Sequence, residues 1–196
     1  MPLGEADILP RNPWVVRRKI SVEEYHLMGQ VGILTKGDRV ELIEGEIVAM
    51  APIGTDHLGA SNWLARALFK AVGDNGVVST AHPVRLDNLN EPQSDFAFLR
   101  FRADLYRGLM PRSGDVLLAI EIAVSSLRFD RSVKAALYAQ HGIPEYWIAD
   151  LAGRTVEVYR EPSADGYRSV TYAKDGETLR PAALPDVAIA VSELMG

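Results

Sequence analysis

Residues 115–150 read DVLLAIEIAVSSLRFDRSVKAALYAQHGIPEYWIAD, and this stretch decides the fold. Residues 116–124 are apolar except for Glu121. A run of that kind is buried on both faces, as in the middle of an α/β sheet. An ionised carboxylate there is costly unless something pairs with it. Asp130 or Ser132 is placed to cap a helix running to Gln140, with Val133, Ala136, Leu137 and Gln140 at helical spacing. Gly142 then suits a left-handed cap, and Pro144 prevents continuation. Residues 145–150 return as an aromatic strand. Two strands around a helix predict a βαβ unit with a parallel pair and a right-handed crossover.

The rest of the chain has to cover this unit and supply partners for Glu121. N-terminal to it, residues 1–20 are Pro-rich and read as an irregular arm, and residues 21–196 as one domain. Ser21 and Glu24 form a capping box for a helix over residues 22–30, stopped by Gly32. Residues 39–43 and 46–50 flank Glu44-Gly45, a tight hairpin with Glu41 in its first strand. Thr55 or Asp56 caps a helix over residues 57–72, on which His57, Ser61, Leu64, Leu68 and Ala71 share a face. Residues 77–86 read as a strand interrupted by Pro83, and residues 95–100 as a strand with Asp95 at its mouth. C-terminal to the unit, residues 156–159 begin a strand, a hairpin is expected around Asp175-Gly176, and a short helix or strand ends at Met195.

Composition narrows the chemistry. The chain has 196 residues, 47% of them hydrophobic, and 21 basic against 26 acidic residues, a net charge of −5. Charge alone therefore forces neither a nucleic-acid nor a membrane partner. There is no cysteine, so disulfides, thiol nucleophiles and cysteine-ligated metals are excluded. That composition, the lack of a signal-peptide pattern in MPLGEADILPRNPW and the lack of an apolar run near 18 residues lead us to expect a cytoplasmic protein without a membrane partner. No phosphate-binding glycine loop and no Gly-x-Ser-x-Gly elbow occurs, and the histidines at 26, 57, 82 and 141 make no zinc pattern.

Three acids stand in apolar or strand settings: Glu41, Asp95 and Glu121. Carboxylates gathered from neighbouring strands hold hard divalent cations, and a nearby lysine can steady developing phosphate charge. Lys134, on the helix after the Glu121 strand, is the candidate. For each residue there is a plainer reading: edge or ion-paired carboxylates, a capping histidine at His57, a solvated lysine at 134. Composition and spacing stop at an α/β protein with an acidic site.

Longer stretches go further. Arg39-Val-Glu-Leu-Ile-Glu-Gly-Glu-Ile, residues 52–57, Pro92-Gln-Ser-Asp95, residues 121–130, Lys134 and residues 138–150 resemble the Uma-type restriction endonuclease family, a branch of the PD-(D/E)xK nuclease superfamily. The resemblance spans residues 21–194. It implies a restriction-endonuclease-like α/β fold: a central mixed sheet flanked by helices, here with extra β-hairpins. It also implies a Mg²⁺- or Mn²⁺-dependent endonuclease that cleaves phosphodiester bonds of DNA, with Asp95 and Glu121 as metal ligands. The superfamily lysine lies two residues after the glutamate, where this chain has Ala123, so Lys134 takes that role. Glu41 and His57 match residues typical of the family and join the site.

Two positions depart from the pattern. Ser94 stands where proline is usual, and Val124 where close relatives often have aspartate. The rival readings are a catalytically idle nucleic-acid-binding or assembly module and a metal-dependent hydrolase of another substrate. Cutting both strands of a duplex leads us to expect a homodimer, with residues 156–172 as candidate contact surface. Arg100, Arg102, Arg107 and Arg112, which follow the Asp95 strand, are the expected phosphate contacts.

Overall fold

The structure, a computed structural model, describes residues 16–35 and 37–196. Most of the proposed arm, residues 1–15, lies outside the described residues. Helix α1 (Val22–Gln30) carries the expected capping box, in which Ser21 and Glu24 satisfy each other's backbone amides. Strands β1 (Val40–Ile43) and β2 (Glu46–Ala49) form the expected hairpin. Its turn needs Gly45: φ is +69°, and a Cβ would lie 2.8 Å from the Lys19 Cβ.

Six strands make the central sheet: β3 (Gly76–Thr80), β4 (Phe96–Arg100), β5 (Val116–Ala123), β6 (Glu145–Asp150), β7 (Thr155–Ser163) and β8 (Gly166–Lys174), in that spatial order. β5 and β6 are parallel and the other neighbours antiparallel, so the sheet is mixed. The parallel pair is the βαβ unit expected from residues 115–150. Its crossover comprises α3 (Leu127–Phe129), a π-helical turn at Asp130–Lys134, and α4 (Ala135–Gln140).

Helices cover both faces. Helix α2 (Thr55–Val72) and the C-terminal α5 (Val191–Met195) pack on Phe96, Phe98, Leu118, Ile120, Ile122 and Trp147. On the opposite face, α4 packs on Ala97, Leu99, Ala119, Ala123, Tyr146 and Ile148. The period-2 alternation of β5 therefore turns Leu118, Ile120 and Ile122 toward α2 and Glu121 toward α4. At α4's end Gly142 adopts φ +72°, the left-handed value expected of it.

Four details differ from the sequence reading. β3 ends at Thr80; Ala81 takes φ +49°, and Pro83, which has no amide hydrogen, makes only an isolated bridge to Gln93. Helix α2 is capped by Gly54 rather than Thr55 or Asp56. The crossover helix starts at Leu127 rather than beyond Asp130, because the π turn lets the chain enter it earlier and still bury Asp130 and Lys134. No hairpin forms at Asp175-Gly176: β8 pairs back on β7 through a turn at residues 164–165, and the chain beyond Gly176 forms β9 (Thr178–Leu179), which pairs with β10 (Ile189–Ala190).

Candidate active site

Glu121 lies in β5, the first strand of the parallel unit, and is 5% exposed. The apolar strand that buries it creates a demand for donors, and the crossover helix meets it. Lys134 Nζ donates to Glu121 Oε1 at 3.0 Å, and Tyr138, one helical turn later, donates its hydroxyl to the same oxygen at 3.2 Å. The ammonium also donates to the Gln93 carbonyl at 2.9 Å and lies 3.3 Å from Glu41 Oε2. Two of its hydrogens are donated to Gln93 and Glu121, and Glu41 shares its charge. Glu41 in turn accepts the Gln93 amide at 3.0 Å. The hairpin, the loop before β4, strand β5 and the crossover helix thus converge on one buried ammonium.

Asp95 belongs to the same cluster. Its Oδ2 accepts the Ile122 amide at 2.7 Å, which ties it to the residue after Glu121. The same oxygen lies 3.1 Å from His57 Nε2, at the first turn of α2. His57 Nδ1 lies 3.2 Å from the Ser61 hydroxyl. In the neutral imidazole, donation from Nε2 to the carboxylate leaves Nδ1 to accept the Ser61 hydroxyl proton. Asp130, expected at a helix cap, instead sits buried in the π turn and accepts the Ser126 hydroxyl at 2.6 Å.

These groups line a cleft of about 390 Å³, walled by Arg39, Met50, Pro52, Ile53, His57, Val124 and Phe129 above Glu41, Asp95, Glu121, Asp130 and Lys134. Four carboxyl groups face one ammonium. Burial pushes the Glu121 carboxyl well above the usual carboxylate range; Lys134 opposes this, and Asp95, Asp130 and Glu41 add to it. Burial likewise raises Asp130, against the Ser126 hydrogen bond. Burial works against the Lys134 charge, but Glu121, Glu41 and Asp130 outweigh it and hold the ammonium above lysine's ordinary value. The site is short of positive charge.

Among the described residues, no group of three or more His, Cys, Asp and Glu side chains is arranged to hold a metal ion. Asp95 Oδ1 and Glu121 Oε2 accept no hydrogen bond from the described residues, and both side chains line the cleft. Two hard oxygens in a pocket with excess negative charge fit a divalent cation whose other positions fall to water and substrate.

The structure brings together all five residues singled out from the sequence. The four arginines expected to contact phosphate lie away from this cluster. Arg100 is at the far end of β4 from Asp95, about 17 Å away at strand rise. It donates to the Gly114 carbonyl, and Arg102 is paired with Asp104. Neither these two nor Arg107 and Arg112 line the cleft. The solvated-lysine reading of Lys134 also fails, because the side chain turns inward and is buried. Sequence reasoning missed Tyr138, although its i, i+4 spacing from Lys134 was available, and missed Gln93, whose contribution is a carbonyl that any residue could supply.

Comparison with protein families matches residues 22–192 to the family described as "Uma2: Putative restriction endonuclease". The chain belongs to this family. Comparison with curated proteins finds no match. Among solved structures, the chain is similar to a protein described as "a putative nuclease belonging to DUF820" from Anabaena variabilis ATCC 29413. That likeness has a TM-score of 0.69 and 15% identity, over 90% of this chain and 97% of that one. This Uma2-family chain thus has the restriction-endonuclease-like α/β fold that the resemblance implied. No helix among its described residues is long and apolar enough to cross a membrane.

Proposed function

We propose that this Uma2 chain is a divalent-metal-dependent endonuclease that hydrolyses phosphodiester bonds of DNA. One observation carries the reading. Asp95, at the entry to β4, and Glu121, on β5, are locked by the Ile122 amide and by Lys134, and each has one carboxylate oxygen that accepts no hydrogen bond among the described residues. The family description and the nuclease neighbour support it.

Asp95 and Glu121 would hold the cation, Mg²⁺ or Mn²⁺. When bound, such a cation supplies Lewis-acid polarisation of the phosphoryl oxygen and lowers the pKa of water. The chain's own groups prepare the site. Lys134 fixes Glu121 and offsets part of the carboxylate charge beside the phosphoryl group. Glu41 and the Gln93 carbonyl hold Lys134 in place. His57, oriented by Ser61, fixes Asp95. Residues 21–196 act as one domain in this reading. Two copies in a cytoplasmic homodimer, through the β7–β8 hairpin, would provide one site for each strand of a duplex.

The test is nicking and linearisation of supercoiled plasmid with Mg²⁺ or Mn²⁺, wild type beside Glu121→Gln. Cleavage is expected in the wild type only, and to stop with a chelator. Equal cleavage by the variant, or none by either protein, refutes the reading. Light scattering tests the dimer, and a monomer at high concentration rejects it.

A further inference from the structure

A polyanion approaching this cleft meets a floor of carboxylates, and a bound cation offsets only part of that charge. Phosphates flanking the scissile bond need cations of their own. The basic side chains lining the cleft are Arg39 and Lys134, besides His57. Lys134 is 3% exposed, donates to Gln93 and Glu121, and is paired with Glu121 and Glu41. Arg39 differs on every count. It is exposed, and no carboxylate pairs with it among the described residues. Its Nη1 donates to the Ala51 carbonyl at 2.8 Å, which leaves Nε and Nη2 without a described acceptor.

Strand register aims this side chain. Arg39 precedes β1, and its carbonyl accepts the Met50 amide at 2.8 Å, so it continues the β1–β2 ladder by one pair. Residues two apart on a strand face the same way. Arg39 therefore projects on the side of Glu41, the side that meets Lys134. The Ala51 bond draws the guanidinium toward the loop of Pro52, Ile53 and Gly54, which forms the cleft's rim. The position is a cation at the mouth of an acidic site, with part of its donor fork open. A guanidinium matches phosphate oxygens in pairs, which an ammonium does not.

We propose that Arg39 is the substrate-phosphate contact of this cleft, binding a phosphodiester next to the one cleaved. The inference deepens the nuclease reading and rests on it. It also moves the phosphate contact from the arginines after β4 to the hairpin.

The experiment measures binding of a short fluorescent DNA duplex to the full chain by anisotropy across a salt series, in Ca²⁺ so that cleavage does not intervene. Wild type is compared with Arg39→Ala, Arg39→Lys and, as a distant control, Arg102→Ala. Losing one phosphate contact should weaken binding about tenfold and lower the slope of log K against log salt by about one. Arg39→Lys should keep the slope and lose part of the affinity, and Arg102→Ala should match wild type. A role as a strut to Ala51 predicts the opposite pattern: a lower melting temperature with an unchanged salt slope, which overturns the proposal. Wild-type affinity and slope in Arg39→Ala also overturn it while leaving the nuclease reading intact. A wild type that binds no duplex and cuts no plasmid overturns both.

Discussion

Lys134 Nζ lies 3.0 Å from Glu121 Oε1, both groups almost wholly inside the protein, one on the crossover helix and the other on the strand it leaves. Each would be untenable alone. Glu41, also buried, shares the same ammonium at 3.3 Å. The site is therefore one electrostatic unit, and its members act through one another.

Removing the ammonium should expose that dependence. Lys134→Ala leaves Glu121 and Glu41 buried without counter-charge, which costs about 3–5 kcal/mol of stability at neutral pH. The solvated-lysine reading predicts almost no change. Urea unfolding decides between them. At temperatures where the variant is still folded, turnover should fall by about 10²–10³-fold, and a rate within about threefold of wild type would rule out a catalytic part for Lys134.

Metal binding should stabilise the fold. At a hundredfold excess of Mn²⁺ over its Kd the gain is about 2.7 kcal/mol, read as a rise in melting temperature. Asp95→Asn, which keeps the shape and loses the charge, should abolish the rise. An equal rise in that variant places the ion elsewhere.

His57 is expected to act on Asp95 and not on folding. His57→Ala removes the donor 3.1 Å from Asp95 Oδ2 and should cut Mn²⁺ affinity by about 10–100-fold, the cost typical of losing a group that orients a metal ligand. Ser61→Ala should have a smaller effect in the same direction. Calorimetric titration measures both; unchanged affinity in His57→Ala rules out a part for the histidine in holding the metal ligand.

Asp87 gives a pH test away from the cleft. Its carboxylate accepts the Leu89 amide and Asn90, and lies 3.0 Å from His141 Nε2, while Asn90 Oδ1 accepts the Glu44 amide of the hairpin. Burial alone would raise its pKa, but these bonds outweigh burial and hold it below the usual aspartate value. A lowered carboxylate pKa contributes stability above the unfolded-state pKa and loses it as pH falls through the folded value. Asp87→Asn should therefore cost up to about 1 kcal/mol at pH 7, since solvent screens a half-exposed carboxylate. The difference from wild type should vanish at pH values below the lowered pKa. A cost that persists there points to lost packing instead.

The local chain determined a great deal. The apolar run of β5 required a buried strand, and the Gly142–Pro144 break ended the crossover helix and returned the chain as β6. The capping box at Ser21 set α1, and Glu44-Gly45 set the hairpin. These signals are local because each rests on backbone geometry within a few residues. Tertiary structure alone decided what Glu121 pairs with. Lys134 is 13 residues away, Gln93 28 and Glu41 80, and they meet only because the sheet order puts β4 beside β5 and the hairpin over the crossover helix. The π turn that points Asp130 and Lys134 inward carries no mark in the sequence, since it arises from packing the helix on the sheet. Placement likewise separated the arginines, which no periodicity could: β4 runs Arg100 away from Asp95, while β1 carries Arg39 to the mouth of the cleft.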